Sequence, residues 1–256
     1  MHLEGQGLSG IRVERPISEL KSTFVVKAEV VDIFSSIQGE GIFLGARQVF
    51  IRFKRCNLTC KFCDEPRNMK GIEYSSSELM REIKFLQSSK GPHHSISLTG
   101  GEPLLYSDFL NIFLKDLKRE NFKTYLETNG TLPDGLSNII DLIDIVSMDF
   151  KLPSSTGERP FWKEHFEFLK IAAKKKVFVK AIVTTNTVKK DIEKAIALIK
   201  TLNKNIPLIL QPATPVNRQD RAVNKDILLK FLEIGARNNL NNIRVIPQMH
   251  KVLNLK

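Results

Sequence analysis

The sequence has only three cysteines among 256 residues, and no fourth lies anywhere in the chain. An odd number of cysteines is not a disulfide framework, and 1–21 lacks the apolar core of a signal peptide that would lead to an oxidising compartment. A structural zinc site wants four ligands, usually as two close pairs. No second pair exists here, because His93 and His94 are adjacent and chelate poorly. No apolar run approaches the roughly 20 residues that cross a bilayer, so a soluble, cytoplasmic protein without a membrane partner is expected. Internal repeats and low-complexity linkers are also missing. Acidic residues are scarce, 28 against 39 basic ones, for a formal net charge of +11. Such a balance favours phosphate-bearing or carboxylate-bearing partners in general. The lysines gather in helical stretches such as 170–176 and 189–204, where they serve as solvated faces. Without a basic cluster interleaved with aromatics, no nucleic-acid partner is expected.

What is present is concentrated. All three cysteines sit in Arg52-Phe53-Lys54-Arg55-Cys56-Asn57-Leu58-Thr59-Cys60-Lys61-Phe62-Cys63-Asp64-Glu65, with three residues and then two between them. Three reduced thiolates packed this closely can ligate three irons of a cubane [4Fe-4S] cluster and leave the fourth open to a small molecule. The spacing resembles the signature of the radical S-adenosylmethionine (SAM) superfamily, in which an aromatic residue, here Phe62, directly precedes the last cysteine. That resemblance implies that SAM chelates the open iron through its amino and carboxylate groups. An electron from the cluster then cleaves the sulfonium to a 5′-deoxyadenosyl radical, so the cofactor carries the hard chemistry and the protein positions it.

The rest of the chain alternates strand and helix. Glycines and a proline in 1–28 mark an appended arm, and 29–256 reads as one domain. Val30 to Phe34 and Gln48 to Phe53 read as strands, joined by the polar loop Ser35-Ser36-Ile37-Gln38-Gly39-Glu40-Gly41. Ser75-Ser76-Ser77-Glu78 caps a helix over 78–89, and Ser107-Asp108 caps one over 109–120. Further strands are expected at 95–98, 122–126, 145–150, 177–184, 207–211 and 242–246. Helices are expected near 136–142 and at 160–175, 189–203 and 223–238. Units of this length imply right-handed crossovers and a parallel sheet. About six or seven strands are too few for a closed eight-unit barrel. The expected fold is therefore α/β, a single-domain partial (open) β/α barrel of the radical SAM type, with a doubly wound sheet as the alternative.

Polar constellations follow the strands and so share one edge of the sheet. In Thr99-Gly100-Gly101-Glu102-Pro103, the glycines permit close backbone approach and Glu102 offers an acceptor for an ammonium group; the plain alternative is a β-to-α turn. The superfamily resemblance gives this segment to the SAM amino group. It likewise gives Glu127 and Asn129 to the ribose, and Gln211, Pro212, Ala213 and Thr214 to the adenine side. Asp149 and Lys151 are either an exposed ion pair or contacts to the ribose or methionine carboxylate. Arg52 is either solvated or a fork for a substrate carboxylate.

Several segments together resemble the 7-carboxy-7-deazaguanine synthase family over about 29–256. They are Ile37-Gln38-Gly39-Glu40-Gly41, Arg52 four residues before Cys56, Ser147 to Pro153, Leu210-Gln211-Pro212, and the tail Gln248 to Asn254. This resemblance implies hydrogen abstraction from C6 of 6-carboxy-5,6,7,8-tetrahydropterin, rearrangement, loss of ammonia and regeneration of SAM; the alternative is another small radical SAM enzyme with a different substrate, such as an activase of a partner protein. Ile37, Gln38, Gly39, Arg52, Thr99 and His250 would hold the substrate, with Arg52 on its carboxylate, and Arg52 and Glu40 are expected to act in catalysis. The tail either closes over the site or is an ordinary frayed end. Further expectations are a homodimer and a reductant such as a flavodoxin or ferredoxin.

One position departs from that family. Its members carry a threonine two residues after the last cysteine, on a magnesium ion, whereas this chain has Cys63-Asp64-Glu65. Glu65, a hard anionic oxygen ligand, either holds Mg2+ itself or marks a different metal arrangement or substrate. Replacing Cys60 by alanine removes one of three indispensable thiolates. Anaerobically reconstituted Cys60→Ala is expected to lose the brown iron–sulfur chromophore and turnover together, and full activity in that variant would overturn the cluster assignment.

Overall fold

The computed structural model describes residues 25–64, 69–215 and 221–255. Their strands are β1 (Lys27–Ile37), β2 (Arg47–Phe53), β3 (Ile72–Ser75), β4 (Ser95–Gly100), β5 (Thr124–Thr128), β6 (Ile145–Asp149), β7 (Lys176–Val183), β8 (Leu208–Pro212) and β9 (Ile243–Val245). The helices are α1 (Ser76–Lys90), α2 (Ser107–Arg119), α3 (Pro133–Ser137), α4 (Pro153–Thr156), α5 (Trp162–Ala172), α6 (Lys189–Leu202), α7 (Lys225–Arg237) and α8 (Met249–Val252). The described strands form one nine-stranded sheet in the order β3-β1-β2-β4-β5-β6-β7-β8-β9, open because β3 and β9 end it on opposite sides. From β2 onward the order rises without reversal, and neighbours are parallel. A doubly wound sheet would reverse its order partway. Crossovers of one hand advancing in one direction instead keep the helices on one face, the arrangement of a partial barrel.

The expectation of a wholly parallel sheet of six or seven strands is corrected. β1 runs antiparallel to both β2 and β3. Its link to β2 is too short for a crossover: the Gln38 N–H donates to Ala46 O at 2.7 Å and the Gly45 N–H to Gln38 O at 2.9 Å, closing a hairpin-like turn. Ser35 and Ser36, expected in the loop, are strand residues opposite Val49 and Gln48. Pairing starts at Lys27 opposite Ser75, ahead of the expected boundary at Glu29, while 1–24 lie outside the described residues. The unexpected β3 is short and mostly exposed, so no buried periodicity announces it. The helix expected near 136–142 is divided into α3 and a 3-10 turn, Ile140–Leu142.

Helix starts differ in how local their signals are. Ser75 forms a full capping box: its side chain accepts from the Glu78 N–H, while the Glu78 carboxylate accepts from the Ser75 N–H at 2.8 Å. Ser107 and Asp108 are instead the first helical residues of α2, behind Tyr106, which makes no side-chain cap.

Period-two alternation divides each strand between two environments. Outward residues such as Ile51, Leu98, Leu126, Val146, Val179 and Leu210 join the large core beneath the helices. Inward residues begin with a small apolar floor of Tyr125, Ile145, Phe178 and Ile209, against which Ile42 and Phe43 of the β1–β2 link pack. Gly41 has φ +65°, and a Cβ there would lie 2.3 Å from the Phe178 ring, so the link touches the floor only because it has no side chain at that point. Phe178→Ala is expected to cost about 3–5 kcal/mol of stability, read as a lower midpoint in urea unfolding.

Candidate active site

Above the apolar floor, the same alternation turns Arg52, Thr99, Glu127, Ser147, Asp149, Lys180 and Gln211 inward at or near the carboxyl ends of their strands. All of them line one cavity of about 430 Å³. Cys56, Cys60, Phe62 and Cys63 line it too, with Glu40, Gly100, Gly101, Asn129, Lys151, Ala213 and Thr214. Ile37, Gln38, Gly39 and His250 line an adjoining recess of about 90 Å³ that shares Glu40, Arg52, Thr99, Glu127 and Gln248 with the larger cavity. Expected site residues from widely separated motifs thus border one continuous space, Glu102 and Pro212 excepted. Glu65 lies outside the described residues.

The cysteine loop makes one internal bond, the Cys63 N–H to Cys60 O at 3.2 Å, and is otherwise held by its neighbours. The Lys61 N–H donates to Thr156 O at 3.0 Å, the Thr59 N–H to the Glu158 carboxylate at 2.5 Å, and the Asn57 side-chain amide to Thr131 Oγ1 at 2.9 Å. Gly100, at φ +112°, and Gly101 approach the loop's own backbone: a Cβ on Gly101 would sit 2.1 Å from Arg55 O. The close approach anticipated for these glycines is thus to Phe53 and Arg55, whose carbonyls accept the Gly101 and Glu102 N–H groups at 2.8 and 2.7 Å. Glu102 stands fully buried behind the cavity wall. Its carboxylate accepts from the Leu104 N–H (3.1 Å), the Thr128 hydroxyl (2.8 Å) and the Asn129 N–H (2.7 Å), so it clasps the ends of β4 and β5 together. Burial pushes its pKa up to about 7 against the pull of those donors. Pro212 ends β8 beside Val183, between cavity-lining Gln211 and Ala213.

Charge in the cavity is paired and buried. Lys151 donates to Asp149 Oδ2 at 2.7 Å. Burial works to lower the Lys151 pKa, but Asp149 and Cys60 outweigh it and raise it. Lys180 pairs with Glu40 Oε2, and Glu40 Oε1 accepts the Gln211 and Gln248 side-chain amides, each at 2.9 Å. Burial works against the Glu40 carboxylate, yet Lys180, the Gln248 amide and nearby His250 bring its pKa down to about 2. Both Glu40 oxygens are thus engaged by donors from β7, β8 and the tail. Burial pushes the Cys60 thiol up to about 11 and Cys56 upward as well, with Lys151 pulling both back, so thiolates at this wall need positive charge nearby.

Sequence reasoning missed three residues. Lys180 is a lysine inside the apolar run Val177-Phe178-Val179-Lys180-Ala181-Ile182-Val183, in phase with floor residue Phe178, and that phase was the available signal. Gln248 bridges Glu40 and, at 3.4 Å, Asp64. His165, fully buried, stacks on Phe150 at 4.9 Å, and its Nε2–H reaches the Asn129 carbonyl at 3.2 Å. Gln248 opens the tail segment quoted for the family resemblance but was given no role there, and His165 carries no local sequence signal.

An open α/β sheet with three thiols and paired buried charges at the carboxyl ends of its strands is the frame of a cluster-dependent enzyme. A family model for the Radical SAM superfamily matches residues 50–207. The 7-carboxy-7-deazaguanine synthase of Geobacter sulfurreducens is 38% identical, covering 88% of this chain and 97% of that protein. The 7-carboxy-7-deazaguanine synthase of Methanothermobacter thermautotrophicus is 34% identical, covering 91% and 99%. Among solved structures, QueE from Escherichia coli is similar in fold, with a TM-score of 0.58 at 21% identity over 87% of this chain and 94% of that one. The chain is a member of the radical SAM superfamily, and hence an enzyme that uses a [4Fe-4S] cluster and SAM. Within the superfamily it belongs to the 7-carboxy-7-deazaguanine synthase family.

The residues present fit those groups. Cys56, Cys60 and Cys63 share one cavity wall, and no three His, Cys, Asp or Glu side chains among the described residues converge on a point suited to a single ion. A cubane instead takes one thiolate per iron. Asp149 Oδ1 and Gln211 Oε1, on residues that also line the cavity, are buried acceptors with no hydrogen-bond partner, and such orphaned groups fit a site that takes a polar ligand.

Removing Lys180 leaves Glu40 buried and unpaired, so Lys180→Met is expected to lose on the order of 3–5 kcal/mol of stability, most of it recovered in the Glu40→Gln/Lys180→Met double variant. A carboxylate whose pKa falls on folding, here from 4.5 to about 2, contributes stability that is complete above the unfolded value and lost as pH drops through the folded one. Unfolding free energy should therefore decline between about pH 4.5 and 2, more steeply in the wild type than in the double variant, as read by urea titration at each pH.

Proposed function

We propose that the chain is a 7-carboxy-7-deazaguanine synthase, contracting 6-carboxy-5,6,7,8-tetrahydropterin to 7-carboxy-7-deazaguanine with loss of ammonia in 7-deazapurine biosynthesis. The observation that carries this reading is the small recess beside the thiol-lined cavity, joined to it through Arg52, Thr99 and Glu127. A compact acid seated there has its ring at the boundary between the two spaces.

When bound, the cluster and SAM supply the hydrogen-abstracting radical; this chain's own residues hold the reactants. Cys56, Cys60 and Cys63 take the cluster, and Gly100, Gly101, Asn129, Asp149, Lys151, Gln211, Ala213 and Thr214 surround SAM. Arg52, braced 5.8 Å above the Phe34 ring, presents its fork to the pterin carboxylate. Glu127, expected at the SAM ribose, accepts from Gln38 at 2.8 Å and from Ser97 and Thr99 at 3.2 Å, so its carboxylate is held as an acceptor where the cavity meets the recess. The tail closes the recess: the Met249 N–H donates to Gly39 O at 2.9 Å, and a Cβ on Gly39 would lie 2.3 Å from the His250 ring. Lys251 pairs with Asp64 at 3.2 Å and ties this closure to the cysteine loop. The reading also includes Mg2+ at Glu65, a homodimer, a flavodoxin or ferredoxin as reductant, and a cytoplasmic location. Among the described residues, no helix is long and apolar enough to cross a membrane.

Anaerobic incubation of the reconstituted protein with SAM, reductant and 6-carboxytetrahydropterin is expected to yield ammonia and the deazaguanine acid, identified by mass. Stoichiometric SAM consumption indifferent to the pterin would reject the proposal. Arg52→Lys keeps the charge but loses the fork. Its KM for the pterin should rise on the order of tenfold to a hundredfold while SAM binding is retained.

A further inference from the structure

Cys60 is gripped from both sides by one short stretch of chain just past α4. Ahead of it, the Thr59 N–H and the Thr59 hydroxyl both donate to a single oxygen of Glu158, Oε1, at 2.5 and 2.9 Å. Behind it, the Lys61 N–H donates to Thr156 O at 3.0 Å. Between these attachments Gly157 has φ +76°, and a Cβ there would lie 2.5 Å from the Lys61 side chain, so turn and loop meet only because that side chain is missing. The turn has restraints of its own. The Glu158 N–H donates to Thr156 Oγ1 at 3.1 Å, and that hydroxyl donates to Leu152 O at 2.9 Å. α4 is moored in turn to α6 and the turn before it: the Ser154 N–H and hydroxyl donate to Asp191 at 2.9 and 2.6 Å, and the Ser155 and Thr187 hydroxyls lie 2.7 Å apart. Cys63 shares the position so fixed, because its N–H donates to Cys60 O at 3.2 Å. Glu158 itself lines neither the thiol-lined cavity nor the recess, so whatever it does there it does through the loop.

We infer that Glu158 is a positioning residue for the iron–sulfur cluster, holding the middle thiolate of the three at a cubane corner by taking both Thr59 donors. A cluster on three cysteines has no fourth thiolate to retain it when one strays, so its lifetime depends on the geometry of this loop. The clasp works by hydrogen bonding rather than by charge, since one carboxylate oxygen accepts both donors and an amide oxygen has two lone pairs to do the same. The inference rests on membership of the radical SAM superfamily and is independent of which substrate the recess takes.

The test follows iron release from the anaerobically reconstituted holoprotein to the ferrous chelator bathophenanthroline, by absorbance. Glu158→Ala is expected to release iron on the order of tenfold faster than wild type, the scale of one hydrogen bond to a charged acceptor, with an unchanged far-ultraviolet circular dichroism spectrum. Glu158→Gln should restore a rate close to wild type, and it should also keep the change that SAM produces in the electron paramagnetic resonance spectrum of the reduced cluster. Thr59→Val removes the hydroxyl bond alone and should fall between wild type and Glu158→Ala; it decides the matter if Glu158→Ala does not fold. Wild-type release from Glu158→Ala, or from Thr59→Val where the alanine variant fails to fold, would overturn the inference. Release from Glu158→Gln as fast as from Glu158→Ala would overturn it too, by assigning the effect to charge. A wild-type protein that takes up no iron and sulfide would defeat the cluster itself and the inference together.

Discussion

Two lysines and three carboxylates are buried against one another on the concave face of the sheet, and the site's shape depends on how they are neutralised. Lys180 lies under the influence of Glu40, Glu127 and Asp149 together, and these raise its pKa against the burial that would lower it. Lys151 pairs with Asp149 at 2.7 Å. Isolated charges in such a place would be prohibitively costly, and pairs are tolerable only when their remaining oxygens are met by further donors. Gln211 and Gln248 meet that need at Glu40, and Gln38, Ser97 and Thr99 meet it at Glu127. Most members of the polar layer are already committed, and two acceptors on cavity-lining residues, Asp149 Oδ1 and Gln211 Oε1, are left buried without a partner.

The same economy ties separate parts of the chain together. Glu40 belongs to the β1–β2 link, Lys180 to β7, Gln211 to β8 and Gln248 to the tail, so one carboxylate gathers segments that span most of the sequence. Asp64, next to the last cysteine, receives both Gln248 and Lys251. The smaller recess and the cysteine loop are therefore linked through the tail. The glycine pair after β4 serves this linkage too, because its missing side chains let that turn lie flat on the backbone of Phe53 and Arg55.

Much of the fold was legible because its signals are local. The capping box at Ser75, the apolar strands 95–98 and 145–150 and the amphipathic helices after them announce themselves within a few residues. Failures came where pairing depends on distant partners. β3 exists because the β1 edge is there to receive it, and β1 turns antiparallel because its link to β2 is short. Of the site, the ends of strands were readable from glycines, prolines and clustered polar residues. Glu102 was assigned a ligand from its motif, but its carboxylate is spent on Leu104, Thr128 and Asn129 behind the wall.

The chain alone determined which chemistry is possible: three thiolates at that spacing, without a fourth, set the cluster and its vacant iron, and strand–helix alternation set an open sheet with its motifs at one edge. Both follow from covalent neighbours and side-chain period, which need no tertiary information. Only the folded chain decided that Glu40 is a paired anion, that Lys180 faces the cavity and that the tail returns to Gly39. Those outcomes depend on the burial of charge, and burial is a property of residues brought together from far along the chain.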